Sequence, residues 1–193
     1  MHFDMSRINT IILDRDGVIN HDSPDYIKSP EEWVPVEGSL DAIALICTKG
    51  YSIYIATNQS GIARGLYNVE TLEAIHRLMI SSIESAGGSI KRIFLCPHGP
   101  DAHCRCRKPA PGMLLDIFSV AGVNAEQCLF VGDSLRDLQA ARAAGCPAAL
   151  VETGNGLRVS KEDSEEVPRF ADLLTLAHWL PVRQQSPDQQ ENG

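Results

Sequence analysis

Four carboxylates stand where they can meet a phosphate or a metal ion. Asp14 and Asp16 lie in Asp14-Arg15-Asp16-Gly17, and Asp133 and Asp137 lie in Gly132-Asp133-Ser134-Leu135-Arg136-Asp137. The first pair follows an apolar run with one residue between its members, and Gly17 lets the backbone turn sharply just beyond. Together the four make an oxygen-rich site suited to Mg²⁺, which favours carboxylates, carbonyls, waters and substrate phosphate over a full protein cage. Hydroxyls and amides follow in Thr57-Asn58-Gln59-Ser60, and Lys108 adds a cation. A single Asp at the end of a strand serves equally well as a helix or turn cap. Three strand ends delivering such groups in one chain make that explanation poor. A lone lysine is ordinarily a solvated surface residue, but Lys108 stands between a strand and a helix opened by a proline, which favours a phosphate contact.

A second constellation is Cys96, His98, Cys104 and Cys106, spaced C-x-H-x5-C-x-C. Three thiolates and an imidazole form a tetrahedral Zn²⁺ set, and four protein ligands leave no open position, so the zinc is expected to be structural. His103 lies inside the loop and competes with His98. Cys96, Cys104 and Cys106 crowd one short window, too close for separate disulfides and well spaced for a metal. Cys47, Cys128 and Cys146 sit in apolar surroundings, as free core cysteines do. This usage points to a reducing, cytoplasmic compartment.

The elements that must position these groups alternate β-branched runs with helical patterns, the signature of an α/β protein with a mainly parallel sheet. Ile8 to Leu13, Tyr51 to Ala56, Ile90 to Leu95, Cys128 to Val131 and Ala148 to Val151 read as five strands. Leu40, Ile43, Ala44 and Cys47 mark one helical face, and Leu72, Ile75, Met79 and Ile83 mark another behind an Asn68 cap. Pro111 opens a third helix that stops at Gly122, Leu138 to Ala144 forms a fourth ended by Gly145, and residues 171–180 form a last one. In open parallel sheets ligands bind beyond the carboxyl ends of the strands. The first strand is followed there by Asp14, the second by Thr57 and the fourth by Asp133.

At 193 residues the chain is expected to form one domain over residues 1–180, followed by a polar, disordered tail at 181–193. Apolar residues at 44% and charged residues at 22% argue against a disordered or fibrous chain. The longest apolar run, Ala42 to Cys47, falls far short of the ~20 residues that span a bilayer, so no membrane partner is expected. The N-terminus lacks the apolar stretch of a secretory signal. A net charge of −8 leaves no basic face for nucleic acid and means that an anionic substrate must be captured by a few local cations and metals.

In order along the chain, ILDRDG (12–17), TNQS (57–60), Lys108 within CRKP, and GDSLRD (132–137) resemble the four motifs of the haloacid dehalogenase superfamily of phosphohydrolases, over roughly residues 8–155. The resemblance implies a Rossmann-like open parallel sheet with helices on both faces. It implies Asp14 as a nucleophile that takes up the phosphoryl group, and Asp16 as the general acid and base. Thr57 and Asn58 would bond the phosphoryl oxygens and Lys108 would neutralise their charge. Asp14, the backbone carbonyl of Asp16, and Asp133 would hold Mg²⁺, with Asp137 as a further ligand or a support just behind. The cysteine loop followed by CRKPxPGM (106–113) is similar to the branch containing heptose bisphosphate and histidinol-phosphate phosphatases, and TNQSGIARG (57–65) is nearer the heptose enzymes. The intervals between motifs leave no room for a separate cap domain, so substrate choice falls to loops carrying Asp22, Tyr26, Gln59, Ser60 and Arg64, and to Arg107 on the zinc loop. Arg64 and Arg107 are candidates for a second phosphate because guanidinium forks bind phosphate bidentately. The expected partner is a phosphorylated sugar in lipopolysaccharide biosynthesis, and the chain is read as a monomer.

Overall fold

Alternation along the strands separates the apolar side chains into two cores, one on each face of a sheet. In β1 (Thr10–Leu13), Ile11 and Leu13 enter one core and Ile12 the other. In β2 (Ser52–Asn58), Ile53 and Ile55 join the first, and Tyr54 and Ala56 the second. In β4 (Cys128–Gly132) the same division puts Leu129 and Val131 opposite Cys128 and Phe130. Strands buried on both faces are a property of parallel sheets covered by helices. The computed structural model describes residues 4–183. It shows a six-stranded parallel sheet in the order β3-β2-β1-β4-β5-β6, completed by β3 (Arg92–Cys96), β5 (Ala148–Val151) and β6 (Arg169–Phe170).

The first core is covered by α1 (Ser39–Thr48), α2 (Val69–Ser85) and α5 (Leu173–Trp179) through Ile43 and Ile46, Ile75 and Met79, and Leu173 and Leu176. The second is covered by α3 (Gly112–Ala121) and α4 (Leu135–Ala144) through Leu114, Ile117, Ala140 and Ala141. Asn68 caps α2 by accepting from the Thr71 amide at 2.9 Å, as its position suggested. Burying a Leu or Ile side chain contributes about 1.5–3 kcal/mol, and both layers contribute in this way to holding the helices on the sheet.

Register fixes where the chemistry falls. Leu13 is paired with Ile55 on one side and Val131 on the other, so the residues following β1 and β4 emerge together beside the last residues of β2. Cys96 pairs with Asn58, which starts the cysteine loop next to the second motif. Several boundaries differ from expectation. The first strand begins at Thr10 because Met5–Arg7 form a short 3₁₀ turn, and the fourth helix begins at Leu135 because Ser134 and Asp137 bond across its first turn. The sixth strand is only Arg169–Phe170, too short to show a period. Residues 184–193 of the expected tail lie outside the described residues.

Candidate active site

Three strand ends and the loop after β3 deliver one cluster. Lys108 is 2% exposed, and its ammonium lies 2.7 Å from Asp14 Oδ2 and 2.7 Å from Asp137 Oδ1, while donating to the Ala56 carbonyl at 2.9 Å. The Asp137 contact is an ion pair without hydrogen-bond geometry, so Oδ1 is a fully buried oxygen with no hydrogen-bond donor among the described residues. Its other oxygen accepts from the Ser134 amide and hydroxyl at 3.0 and 2.6 Å. Asp133 Oδ2 accepts from the Asn155 backbone at 2.8 Å and from its side chain at 3.3 Å. Gly17 and Gly154, both with positive φ, crowd Asp133 so closely that a Cβ on either would run into its carboxylate.

One lysine faces three buried carboxylates here, and the proton affinities show the imbalance. Burial pushes Asp133 up to about 6, opposed by the Asn155 amide and reinforced by Asp137. Burial likewise raises Asp14 well above the carboxylate range, with Lys108 opposing and Asp137 and Asp133 reinforcing. For Lys108 burial favours the neutral form, but Asp137 and Asp14 outweigh it and raise its pKa. Ligand oxygens of Asp14, Asp133 and Asp137 lie within 4.8 Å of one another. A hard divalent cation would supply the missing charge, and this all-oxygen donor set fits Mg²⁺.

Asp16 faces the same cavity in a different environment. Arg15 donates to Asp16 Oδ1 from Nε at 3.0 Å and from Nη2 at 2.8 Å, and Nη2 also reaches Oδ2 at 3.0 Å. Asn20 donates to Oδ1 and Gln59 to Oδ2, each at 2.9 Å. Burial pushes the carboxyl up, but Arg15 and these amides outweigh it, and its pKa is lowered. Two neighbouring carboxylates thus have opposite proton affinities, as acid–base chemistry requires.

The side chains of Cys96, His98, Cys104 and Cys106 converge as expected, and His98 rather than His103 is the histidine present. The three sulfurs are 3.2–3.6 Å apart, and His98 Nδ1 lies 3.6 Å from Cys96 Sγ and 3.3 Å from Cys106 Sγ. A tetrahedron with Zn–S bonds of about 2.3 Å has edges of about 3.8 Å. The cluster therefore has the size and donor chemistry of a closed zinc site. Arg107 donates from Nη1 to the His98 carbonyl at 3.1 Å, tying the loop to the cavity wall.

Asp22, Tyr26, Thr57, Asn58, Gln59, Ser60, Arg64 and Arg107 all line the cavity with the acidic cluster. Their partners refine what each can do. Gln59 donates its two amide hydrogens to Asp16 and to the Thr57 hydroxyl, each at 2.9 Å, and accepts from the Tyr67 hydroxyl at 2.7 Å, which leaves one acceptor lone pair and no amide hydrogen for a ligand. Asn58 bridges the backbone of Lys108, accepting from its N–H and donating to its carbonyl at 3.1 Å each, which leaves one amide hydrogen. Three site residues were not foreseen. Asn155 follows β5 and bonds both Asp133 and Asp22, but it stands four residues beyond the strand end at Val151. Arg136, exposed on the first turn of α4, adds a cation to the cavity rim. Arg15, between two site carboxylates, is buried.

Comparison with known proteins places this arrangement among enzymes. A family model described as "HAD-hyrolase-like" matches residues 105–175. A D-glycero-beta-D-manno-heptose-1,7-bisphosphate 7-phosphatase of Pseudomonas aeruginosa is 49% identical over 177 residues, covering 91% of this chain and 99% of that protein. The Bordetella bronchiseptica protein of the same name is 54% identical over 172 residues, covering 88% and 96%. A crystal structure of D,D-heptose 1,7-bisphosphate phosphatase from B. bronchiseptica, complexed with magnesium and phosphate, superposes with a TM-score of 0.86 at 48% identity, covering 90% of this chain and 98% of that one.

Proposed function

This chain belongs to the D-glycero-D-manno-heptose-1,7-bisphosphate 7-phosphatase family of haloacid dehalogenase-like hydrolases, and we propose that it removes the C7 phosphate of that sugar through a phosphorylated Asp14. The observation that carries the chemistry is the Lys108 ammonium, 2.7 Å from both Asp14 and Asp137. An attacking carboxylate repels a phosphate dianion unless cations lie between them. Asp14, the Asp16 carbonyl, Asp133 and Asp137 would hold Mg²⁺, which would add to that neutralisation.

In the first half-reaction an Asp14 oxygen bonds to phosphorus as the bond to the C7 oxygen breaks, and Asp16 gives that oxygen a proton. In the second, water attacks the phosphorus of the aspartyl-phosphate, Asp16 takes its proton, and phosphate leaves Asp14. The lowered pKa of free Asp16 suits the second role. An incoming phosphate dianion adds like charge beside it and raises its proton affinity for the first. Thr57, Ser60 and the remaining Asn58 amide hydrogen face the phosphoryl group, and Gln59 orients Thr57 and Asp16.

The C1 phosphate lies outward among the loops, held by Arg64 and Arg107, with Asp22 and Tyr26 beside the sugar. Cys96, His98, Cys104 and Cys106 would hold a structural zinc. We assign residues 1–180 to one catalytic domain, acting as a cytoplasmic monomer in lipopolysaccharide core assembly. No helix among the described residues is long and apolar enough to cross a membrane. Phosphorus NMR of the product tests the assignment. Loss of the C7 resonance with C1 retained is expected. Release of the C1 phosphate, or faster turnover of histidinol phosphate, overturns it.

A further inference from the structure

The mechanism leaves a buried imidazole without a task. His76, 8% exposed on α2, shares the helix stripe of Leu72, Ile75, Met79 and Ile83, yet its Nε2 lies 3.3 Å from Arg15 Nη1. Arginine has donors only, so the imidazole accepts and is neutral at that nitrogen. Burial, and then the Arg15 charge, push the His76 pKa down to about 4, in keeping with that role. The guanidinium is planar with five N–H groups in fixed directions. Nε and Nη2 grip both oxygens of Asp16, and Nη1 has His76 as its partner. Arg15 is 1% exposed, so its N–H groups depend on protein partners. On the other side, the Tyr67 hydroxyl donates to Gln59 Oε1 at 2.7 Å, which aims Gln59 Nε2 at Asp16 Oδ2. Neither His76 nor Tyr67 lines the cavity.

We propose that His76 is a positioning residue for proton transfer by Asp16: it fixes the plane of the Arg15 guanidinium, and through it the orientation of the carboxyl toward the leaving oxygen. Tyr67 gives the second support through Gln59. The inference rests on the acid–base role assigned to Asp16 above. As the P–O bond breaks and the new bond to Asp14 forms, the Asp16 proton moves to the departing alkoxide oxygen, which leaves as a neutral alcohol. A p-nitrophenyl ester departs as the phenolate and needs no proton. Misplacing Asp16 therefore harms the sugar phosphate selectively.

The test compares kcat/KM for the heptose bisphosphate and for p-nitrophenyl phosphate, because kcat/KM reports only steps through release of the alcohol. His76→Leu removes the acceptor and is expected to lower the sugar value about tenfold or more, within the ~10²–10⁴-fold contribution of general acid catalysis, while the aryl value changes less than about twofold. His76→Gln restores an acceptor oxygen and recovers most of the sugar rate. Should His76→Leu fail to fold, Tyr67→Phe carries the test, being nearly isosteric, with the same selective loss expected at smaller size. Equal losses on both substrates, no loss on either, or a Gln variant no better than Leu overturns the proposal. Asp16→Asn separates the two readings. If it slows both substrates equally, the role of Asp16 itself fails; if it is selective and the supporting variants are not, the positioning role fails.

Discussion

Magnesium binding should weaken as pH falls through the proton affinity of Asp133, well above the ordinary carboxylate range. Asp133 is 3% exposed and burial pushes its pKa up from 3.8 to about 6. The metal needs the carboxylate, so protonation competes by a factor of one plus ten to the power of pKa minus pH. That factor is about 1.1 at pH 7 and about 11 at pH 5, a tenfold loss worth about 1.4 kcal/mol. For a domain of this size about 1.4 kcal/mol moves Tm by roughly 3–6 °C. Asp14, raised in the same direction, steepens the loss. The metal-free protein behaves oppositely: a raised Asp133 binds a proton that the unfolded chain has released between about pH 4 and 6, so its contribution to stability declines as pH rises through that window. His76, lowered from 6.5 to about 4, contributes stability that grows through nearly the same range. Taking the difference in Tm with and without Mg²⁺ at each pH removes both effects common to the metal-free state. The assay is thermal unfolding by circular dichroism in saturable Mg²⁺, with zinc left in place. An increment that is equal at pH 7 and pH 5, or that fades only near pH 4, refutes the buried-carboxylate argument.

Asp14→Asn changes volume little and should cut steady-state phosphate release by about a thousandfold or more while keeping Mg²⁺-dependent substrate binding; near-normal turnover would rule out an aspartyl-phosphate. Protein purified without added metal should carry close to one zinc per chain by elemental analysis. Cys104→Ser and His98→Ala should each lower zinc content and Tm, whereas His103→Ala should not, because His103 is outside the cluster. Arg64→Ala should raise KM for the bisphosphate several-fold more than for a monophosphate lacking the C1 anion, with kcat little changed, as expected when a uniform binding contact is lost. An equal rise for both substrates would place Arg64 away from the second phosphate.

The acidic site was legible because its residues follow strands, and parallel register forces strand ends together. Two kinds of residue escaped. Asn155 escaped because β5 ends in Val151 and the useful amide comes four residues later, after a turn through Gly154. Arg15 and His76 escaped because their task is to meet each other across 61 positions, and only tertiary packing creates that distance. Gln59 shows the converse limit. Its type and place suggest a ligand contact, but both ends of its amide are taken by Tyr67, Thr57 and Asp16. Choosing between His98 and His103 also required coordinates, since both spacings suit zinc.

The cysteine loop and the acidic cluster solve one physical problem. Lys108 must stay buried and charged between Asp14 and Asp137, on a loop rather than on a strand or helix. A long, entropic side chain on an unsupported loop would lose about 2 kcal/mol of rotamer freedom on being fixed, and backbone freedom besides. Asn58 bridges both the N–H and the carbonyl of Lys108, which fastens its backbone to the end of β2. Cys106 lies two residues upstream, in a cluster whose first member, Cys96, is the last residue of β3. A metal at that cluster thus joins the approach to Lys108 directly to the sheet, one strand away from Asp14 across β2. The ordering is then borne by the loop's own ligands before substrate binds, and the lysine reaches its two carboxylates without reorganisation when the phosphoryl group is transferred.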